Sequence, residues 1–425
     1  MRAYPLYLLI RGVNAFAGTT AFTLSQVFQM QNAGLGPLQL LLAGTAMEVV
    51  CLVAQVPTGV LADVYSRRLS VVIGYLVMGA GALVWVVAPT FAGILAGTML
   101  WGVGCTCVDG AEEAWIADEV GDARAGAVFT RATQVGQLSA IAGIVASVAL
   151  GTVHLGLPIA VGGTAWLVLG GYLAVRMPEH RPPRSTMDTR PSLIGQTFDG
   201  VRAVRRNPLL LLLLGAVFFT ALGGEGFDRL GQPHFLADLT FPPLWTPVVW
   251  FGVLGVAGTL GAIGLTQLVR RWVDALDPVR LGRLLAVFTA TRFAALLTFA
   301  LAGEFWLAAG AYLAVGLLAS AAGPLSTTFL VGQTAPSTRA TVLSIMAQVD
   351  AAGEIAGGPP VGVVGERGLI RAALVLTAAF LAPAVACVAG AARRASRPRA
   401  SIKGLTTVDQ GIPAAEPGVS RTRIP

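Results

Sequence analysis

The sequence predicts an all-α membrane protein: twelve transmembrane helices in two pseudo-symmetric halves of six. Three observations lead there. The 425 residues are 55% hydrophobic and only 12% charged, against about a quarter charged in an ordinary soluble domain, and the mean hydropathy is +0.72. Apolar runs of about 20 residues, each long enough to cross a hydrocarbon core of about 30 Å, recur along the whole chain. An internal repeat then relates the two ends. "ATQVGQLSAIAGIVASVALG" (132–151) aligns with "MAQVDAAGEIAGGPPVGVVG" (346–365), placing Gln134 and Val135 over Gln348 and Val349, and Ile141, Ala142 and Gly143 over Ile355, Ala356 and Gly357. That register sets the fifth apolar run over the eleventh, as a duplicated six-helix unit requires.

Taken in order, the runs are expected at 5–30, 38–62, 70–88, 91–116, 132–153, 157–177, 208–236, 244–270, 284–302, 305–333, 340–364 and 369–391. The first, opening "MRAYPLYLLIRGVNAF", lacks a small-residue cleavage site and reads as a retained span, not a signal peptide. Arginines set the orientation. With the N-terminus inside, the inner links hold Arg67 and Arg68, Arg124 and Arg131, a cluster from Arg176 to Arg206, then Arg270, Arg271, Arg280, Arg283 and Arg339. The outer links hold only Arg367 and Arg371. Both termini are therefore expected in the cytoplasm of a multi-pass cell (plasma) membrane protein. The longest link, "PEHRPPRSTMDTRPSLIGQTFDGVRAVRRNP", starts Pro- and Arg-rich and then suits a short surface helix over about 192–206. It divides the chain into an N-terminal half (1–177), a cytoplasmic linker (178–207), a C-terminal half (208–392) and a polar tail (393–425) whose composition predicts disorder.

Composition also excludes. The isoelectric point near 9.7 comes from arginines scattered over short links, not from a basic patch, so no nucleic-acid partner is expected. Cys51, Cys105, Cys107 and Cys387 all fall in apolar runs without a histidine cluster, which argues for packing and against a metal site. His154, His180 and His234 are scattered and read as surface or link residues, and Trp85, Trp245 and Trp306 near run ends read as interfacial anchors. No nucleotide-binding motif and no catalytic cluster in the links appear, so neither ATP-driven transport nor an enzyme is expected, and no cofactor.

Between the second and third runs stands "GVLADVYSRR" (59–68). It resembles the signature G-x-L-A-D-R-x-G-R-K of the major facilitator superfamily. Gly59, Leu61, Ala62, Asp63 and Arg67 match and Arg68 replaces lysine, whereas Val64 and Ser66 depart from the pattern. Twelve runs split six and six strengthen the resemblance, which covers about residues 1–392. "EVVCLVAQVPTGVLAD" (48–63) and "GAEEAWIADEVG" (110–121) are similar to a bacterial branch of drug exporters. The resemblance implies alternating access and a cytoplasmic gate of Gly59, Asp63, Arg67, Arg68 and Asp118. Asp63 would face the start of helix eleven, near Ser337–Leu343, where a helix N-terminus favours a carboxylate. Arg67 or Arg68 would pair with Asp118 or Glu119; alternatively both arginines serve only the positive-inside rule. Two departures weigh against proton-driven drug efflux: helix four has no arginine in "GILAGTMLWGVG", and the exporters' helix-five proline motif finds its nearest match in helix eleven, "GEIAGGPPVG".

Charges inside the membrane are functional candidates, since each costs about 2.5–3.5 kcal/mol at the bilayer centre on insertion scales. Asp109, Glu112 and Glu113 are spaced to share one face of helix four. The resemblance makes helices one, four, seven and ten the cavity lining, which adds Arg11 and Asn14 and, on helix seven, Glu225, Asp228 and Arg229. Arg11 and Glu113 lie at similar depths, about 9 Å from the inner ends at 1.5 Å per residue, and could meet. Either they form a fixed pair that permits insertion, or they bind substrate or protons. Glu225 and Arg229 stand in the favourable i, i+4 order. Asp350 and Glu354 on helix eleven are the second choice for coupling, because two like charges on one face disfavour double ionisation. Glu48 and Arg292 have no assigned partner. The expected function is proton-coupled export of an amphipathic small organic molecule by a monomeric secondary transporter in the lipid bilayer. The alternatives are an importer or facilitator of a small solute, or a non-transporting sensor on the same fold.

Overall fold

Prolines and short polar side chains start the helices, and glycines bend them. The first run is two helices, α1 (Ala3–Phe22) and α2 (Ser25–Gln31). The second is α3 (Pro37–Val60), with Pro37 in the first turn, where its missing N–H leaves no bond unmade. A π-turn over Leu61–Tyr65 extends α3. Ser66 then caps α4 (Arg67–Val87), its Oγ accepting from Leu69 N at 2.9 Å. α5 (Phe91–Val108) and α6 (Ala111–Val120) make the fourth run, followed by α7 (Asp122–Gly151) and α8 (Gly156–Arg176). A second set follows: α9 (Pro208–Leu222), α10 (Glu225–Asp238), α11 (Pro247–Val273), α12 (Pro278–Leu301), α13 (Phe305–Gly332), α14 (Arg339–Glu366) and α15 (Ile370–Ala395). Asp277 caps α12, accepting from Val279 N and Arg280 N at 2.9 and 2.8 Å.

The computed structural model describes residues 3–179, 202, 204–205, 207–273, 277–334 and 338–396. The surface helix expected over 192–206, most of the 178–207 link, His180, Ser337 and the tail beyond residue 396 lie outside them. Three runs expected to be continuous are broken: the first at Thr23–Leu24, the fourth at Asp109–Gly110 and the seventh at Gly223–Gly224. Gly110 takes φ +78°, a conformation that ends a helix and that glycine adopts without steric penalty. Other helices are longer than expected. α7 starts at Asp122, α11 runs through Val273 and α12 starts at Pro278, so Arg124, Arg131, Arg270, Arg271, Arg280 and Arg283 are helical and not in links. Arginine's long apolar stem lets its head snorkel to water from a helix end. Among the described residues, ten helical stretches are long and apolar enough to cross a membrane. α1 and α14 have the length but fall short in apolarity, since they hold Arg11 and Asn14 and Asp350 and Glu354 respectively.

The two sets pack alike. α1 lies against α7 and α8, α4 against α5 and α8, and α3 against α5. In the second set α9 lies against α14 and α15, α12 against α13 and α15, and α11 against α13. These are the same neighbours at corresponding positions of the repeat. Small residues allow the close approach that drives helix association in lipid: a Cβ on Gly81 would sit 2.6 Å from Gly97 O, and one on Gly357 would sit 2.3 Å from Leu222 O. Between the sets, α3 meets α14 and α7 meets α11. Among the described residues, the close contacts named here lie toward one end. There Leu38 N donates to Glu366 Oε2 at 3.1 Å, and Val148 packs on Gly252. Toward the arginine-rich end α3 stands free: Leu52, Val53, Gln55 and Val56 are all exposed, although successive residues point in different directions. Leu138 on α7 and Leu268 on α11 are exposed as well. The result is a cleft closed at one end and open at the arginine-rich end.

Two aromatic expectations change. Trp85 is not an interfacial anchor; it is buried and donates from Nε1 to Ile94 O at 3.0 Å. Trp245 and Trp306 are exposed near helix ends. His234 is fully buried on α10, hydrogen-bonded to Asp238 Oδ2 at 2.8 Å and Phe299 O at 3.1 Å. The broken seventh run turns its face into the second core.

Candidate functional site

The break at Asp109–Gly110 redirects the acids of the fourth run, so they do not share one face. Asp109 follows the last turn of α5 and is exposed to the cleft, while Glu112 and Glu113 lie in the first turn of α6, where the helix N-terminus favours negative charge. Glu112 is fully buried and accepts from Tyr75 Oη at 2.7 Å. Its other oxygen has no hydrogen bond and lies 3.8 Å from Arg11 Nη1. Glu113 is half exposed; its Oε2 accepts from Gly110 N at 3.2 Å and its Oε1 lies 3.5 Å from Arg11 Nη1. Arg11 therefore reaches both acids. Asn14 is committed differently, its Oδ1 accepting from Trp166 Nε1 at 2.8 Å. It still lines a cavity of about 290 Å³ with Asp109, Trp101 and Trp166.

The break at Gly223–Gly224 sends charge the other way, toward the opposite set. Glu225 Oε1 accepts from Arg229 Nε at 2.9 Å, the expected i, i+4 pair, and both side chains are largely buried where α10 crosses α3. Gly44 of α3 lies directly beneath, where a Cβ would stand 1.9 Å from Glu225 Oε1. Asp228 faces the cleft, and its carbonyl accepts from Gln26 Nε2 at 3.2 Å. Gln232 Nε2 donates across the same seam to Thr23 O at 2.7 Å. Arg292 on α12 lines a cavity of about 350 Å³ with Thr220, Thr289, Ser326 and Asp350. Its Nε has no hydrogen-bond partner among the described residues, and Asp228 is the acid whose charge acts on it. Asp350 lines that cavity, whereas Glu354, which feels the charge of Asp350, lies within hydrogen-bonding reach of Glu48 on α3.

At the arginine-rich end the signature residues divide. Arg67 Nη1 donates to Asp118 and, at 3.1 Å, to Ala114 O, tying α4 to α6. Arg68 does not reach the acids of α6; its Nη2 donates to Ala174 O near the end of α8, and its N–H donates to Glu179 at 3.4 Å. Glu179 also accepts from Ser66 Oγ at 2.6 Å. Asp63 is exposed and has no hydrogen bond or ion pair among the described residues. A Cβ on Gly59 would meet nothing within 4 Å.

Residues passed over in the sequence also line the cleft. Phe22 packs edge-on against Trp85 and Trp101 at centroid distances of 5.8 and 5.1 Å, with Trp166 at 5.7 Å. Facing them, Tyr312 packs on Phe227 at 5.1 Å. Cavities of about 200 and 240 Å³ between the sets are lined by Phe22, Trp101, Gln26, Arg229, Asp228 and Tyr312. The aromatic residues carry no periodic signal that separates them from ordinary packing, and Gln26 and Gln232 stand out only once the breaks bring α2 and α10 together.

The family model of the Major Facilitator Superfamily matches residues 7–358. An uncharacterized MFS-type transporter, YxaM, of Bacillus subtilis (strain 168) is 25% identical over 351 residues, covering 81% of this chain and 85% of that one. Among solved structures, the nucleoside transporter NupG superposes with a TM-score of 0.75 at 11% identity, covering 92% of this chain and 99% of that one. A bacterial homolog to the human lysosomal transporter Spinster, in an inward-facing and unoccupied conformation, gives 0.70 at 14%, covering 92% and 96%. The POT family transporter PepTSo gives 0.68 at 11%, covering 93% and 98%. At these identities the structural likenesses establish the fold.

Proposed function

The chain belongs to the Major Facilitator Superfamily, and on that premise we propose that it is a proton-coupled exporter of an amphipathic small organic molecule, working by alternating access between halves 1–177 and 208–392. The observation that carries this reading is the cleft itself, sealed at one end by α3 against α14 and open at the arginine-rich end. The arginine asymmetry supports a cytoplasmic location for that open end. Substrate occupies the cleft between Trp101 and Phe22 on one wall and Tyr312 and Arg292 on the other, where aromatic faces meet apolar groups and the charged groups orient the polar part. Proton coupling rests on the Arg11–Glu112–Glu113 group. One acid stays paired with Arg11, and its neighbour exchanges a proton as the hydration of the cleft changes between states. When the open end closes, Asp63 meets the N-terminus of α14, while Arg67–Asp118 keeps the motif fixed to its own half. The transporter acts as a monomer in the plasma membrane with both termini cytoplasmic.

Purified protein in vesicles of known orientation tests this with ethidium as a probe. Ethidium should move from the face of the termini to the other face when a proton gradient of opposite direction is imposed. Glu112→Gln or Glu113→Gln should abolish gradient-driven accumulation while downhill exchange continues. Accumulation of equal extent in both variants and wild type removes the coupling assignment. Reporter fusions after Arg206 and Arg397 should both report the cytoplasm.

A further inference from the structure

A pair of carboxyl groups joins the two halves at mid-depth. Glu48 lies on α3, on the order of 16 Å along the helix from its start at the closed end, and its side chain is within hydrogen-bonding reach of Glu354 on α14. The two helices belong to opposite halves and form their main contact. Above the pair the seam is tight: Glu366 accepts from Leu38 N, and a Cβ on Gly358 would stand 2.4 Å from Thr45 Oγ1. Below it the helices part, with Val53 and Val56 70% and 73% exposed and Asp350 open to the cleft. Glu48 and Glu354 thus lie between the tight part of the seam and the exposed residues below it.

Two carboxylates at hydrogen-bonding distance repel, and a hydrogen bond between them needs one O–H. The surroundings supply one cation, and it is shared with another acid. The groups whose charges reach the pair are Asp350 on α14, Glu225 and Arg229 on α10, and Cys51 on α3 itself; Asp109 and Cys105 stand beyond Cys51. Arg229 is the one cation among them, and its Nε is already held by Glu225. Neither Glu48 nor Glu354 has an ion pair among the described residues.

We propose that Glu48 and Glu354 form a proton-binding site built by both halves, in which one shared proton closes the seam and its release opens it. With the proton present, one carboxyl donates to the other and α3 stays on α14. When the proton passes to water in the cleft, two like charges remain face to face and push the helices apart at the closed end. The state with the seam closed then binds one more proton than the state with it open, so raising the pH favours opening. This inference rests on the alternating-access reading and adds a proton site distinct from the Arg11 group.

Hydrogen–deuterium exchange of the full chain in nanodiscs tests it, with rates corrected for the intrinsic effect of pH. In wild type, protection of segments 37–48 and 354–366 should fall as pH rises from about 5.5 to 9, by up to about tenfold per pH unit, the limit for one linked proton. Glu48→Gln and Glu354→Gln each supply an amide that donates to the remaining carboxylate, so both should keep the seam protected across the range, with less than about a twofold change. A wild-type seam indifferent to pH overturns the proposal, as does an unchanged pH response in both variants. Replacing sodium by potassium at fixed pH should change nothing; a response there makes a metal ion the occupant and also overturns it. Segment 61–69 at the opposite end reports on the parent reading separately. If it gains protection whenever the seam loses it, alternating access stands whichever way the pair behaves.

Discussion

The two halves share one helix plan and spend their buried charge differently. In the first, the break in its cavity helix turns Glu112 inward, onto Tyr75 and Arg11 of the same half. In the second, a bend in a different cavity helix, at Gly223–Gly224 of the seventh run, turns Glu225 and Arg229 outward, onto Gly44 of the opposite half. A buried ionic group inside one half acts on the stability of that half. The same kind of group at the seam acts on the balance between conformations, because only one conformation brings its neighbours together. The first half also keeps its signature arginines within itself, Arg67 on Asp118 and Arg68 on Ala174, leaving Asp63 as the one motif charge free to meet the other half.

The sharpest way to break this contrast is at the two arginines. Arg11→Gln strands the fully buried Glu112, and breaking a buried pair costs about 3–5 kcal/mol. Arg11 reaches water in the cleft, its side chain being 38% exposed, so we expect about 2–3 kcal/mol, read as a lowered thermal unfolding temperature in detergent. Arg229→Gln should instead raise hydrogen exchange in 37–45 and 358–366 with a smaller fall in unfolding temperature. Equal unfolding temperatures and unchanged seams in both variants would erase the distinction between the halves.

Glycines give a second, smaller contrast. Gly44→Ala drives a methyl into the Glu225–Arg229 pair, and overpacking of this kind costs about 1–3 kcal/mol. The closed seam should lose population, seen as increased labelling of a cysteine placed at Thr45. Gly59→Ala meets open space in this conformation and should leave the labelling at Thr45 unchanged. It should slow transport nonetheless if α3 packs closely at that end when the cleft closes. A Gly59→Ala protein with wild-type turnover would mean that the glycine serves neither state.

The smallest expected effect is at Asp63. Asp63→Asn removes one charge facing a helix N-terminus in the alternate state, a contact worth about 0.3–1 kcal/mol. That shifts a two-state balance up to about fivefold toward the conformation with the open arginine-rich end, at constant unfolding temperature. Unchanged protection of 61–69 in the variant removes Asp63 from the gate.

Much of this was legible in the residues. Hydropathy and the repeat of 132–151 in 346–365 located α7 and α14 at equivalent positions, and the i, i+4 spacing of Glu225 and Arg229 gave their pair directly. Arg11 and Glu113 were matched by depth alone, since each lies a similar distance from the inner end of its helix. Arg67 to Asp118 came from the motif, while Arg68 reached α8 because successive helical residues point about 100° apart.

What the sequence by itself determined is local and periodic: which segments are apolar, which face of each helix is charged, and which end collects arginine. These follow from burial in lipid, a constraint acting on each segment separately. Only the tertiary structure decided where the helices bend and which charges meet across the halves. Gly110 and Gly223 are two glycines among 52, and nothing local distinguishes them from glycines that stay helical. Glu48 and Glu354 are separated by most of the chain, and their contact exists only because α3 and α14 lie side by side when one end of the cleft is shut. Such a contact depends on the conformation as well as the fold, and a linear pattern of residues encodes neighbours along a helix, not the state in which two distant helices touch.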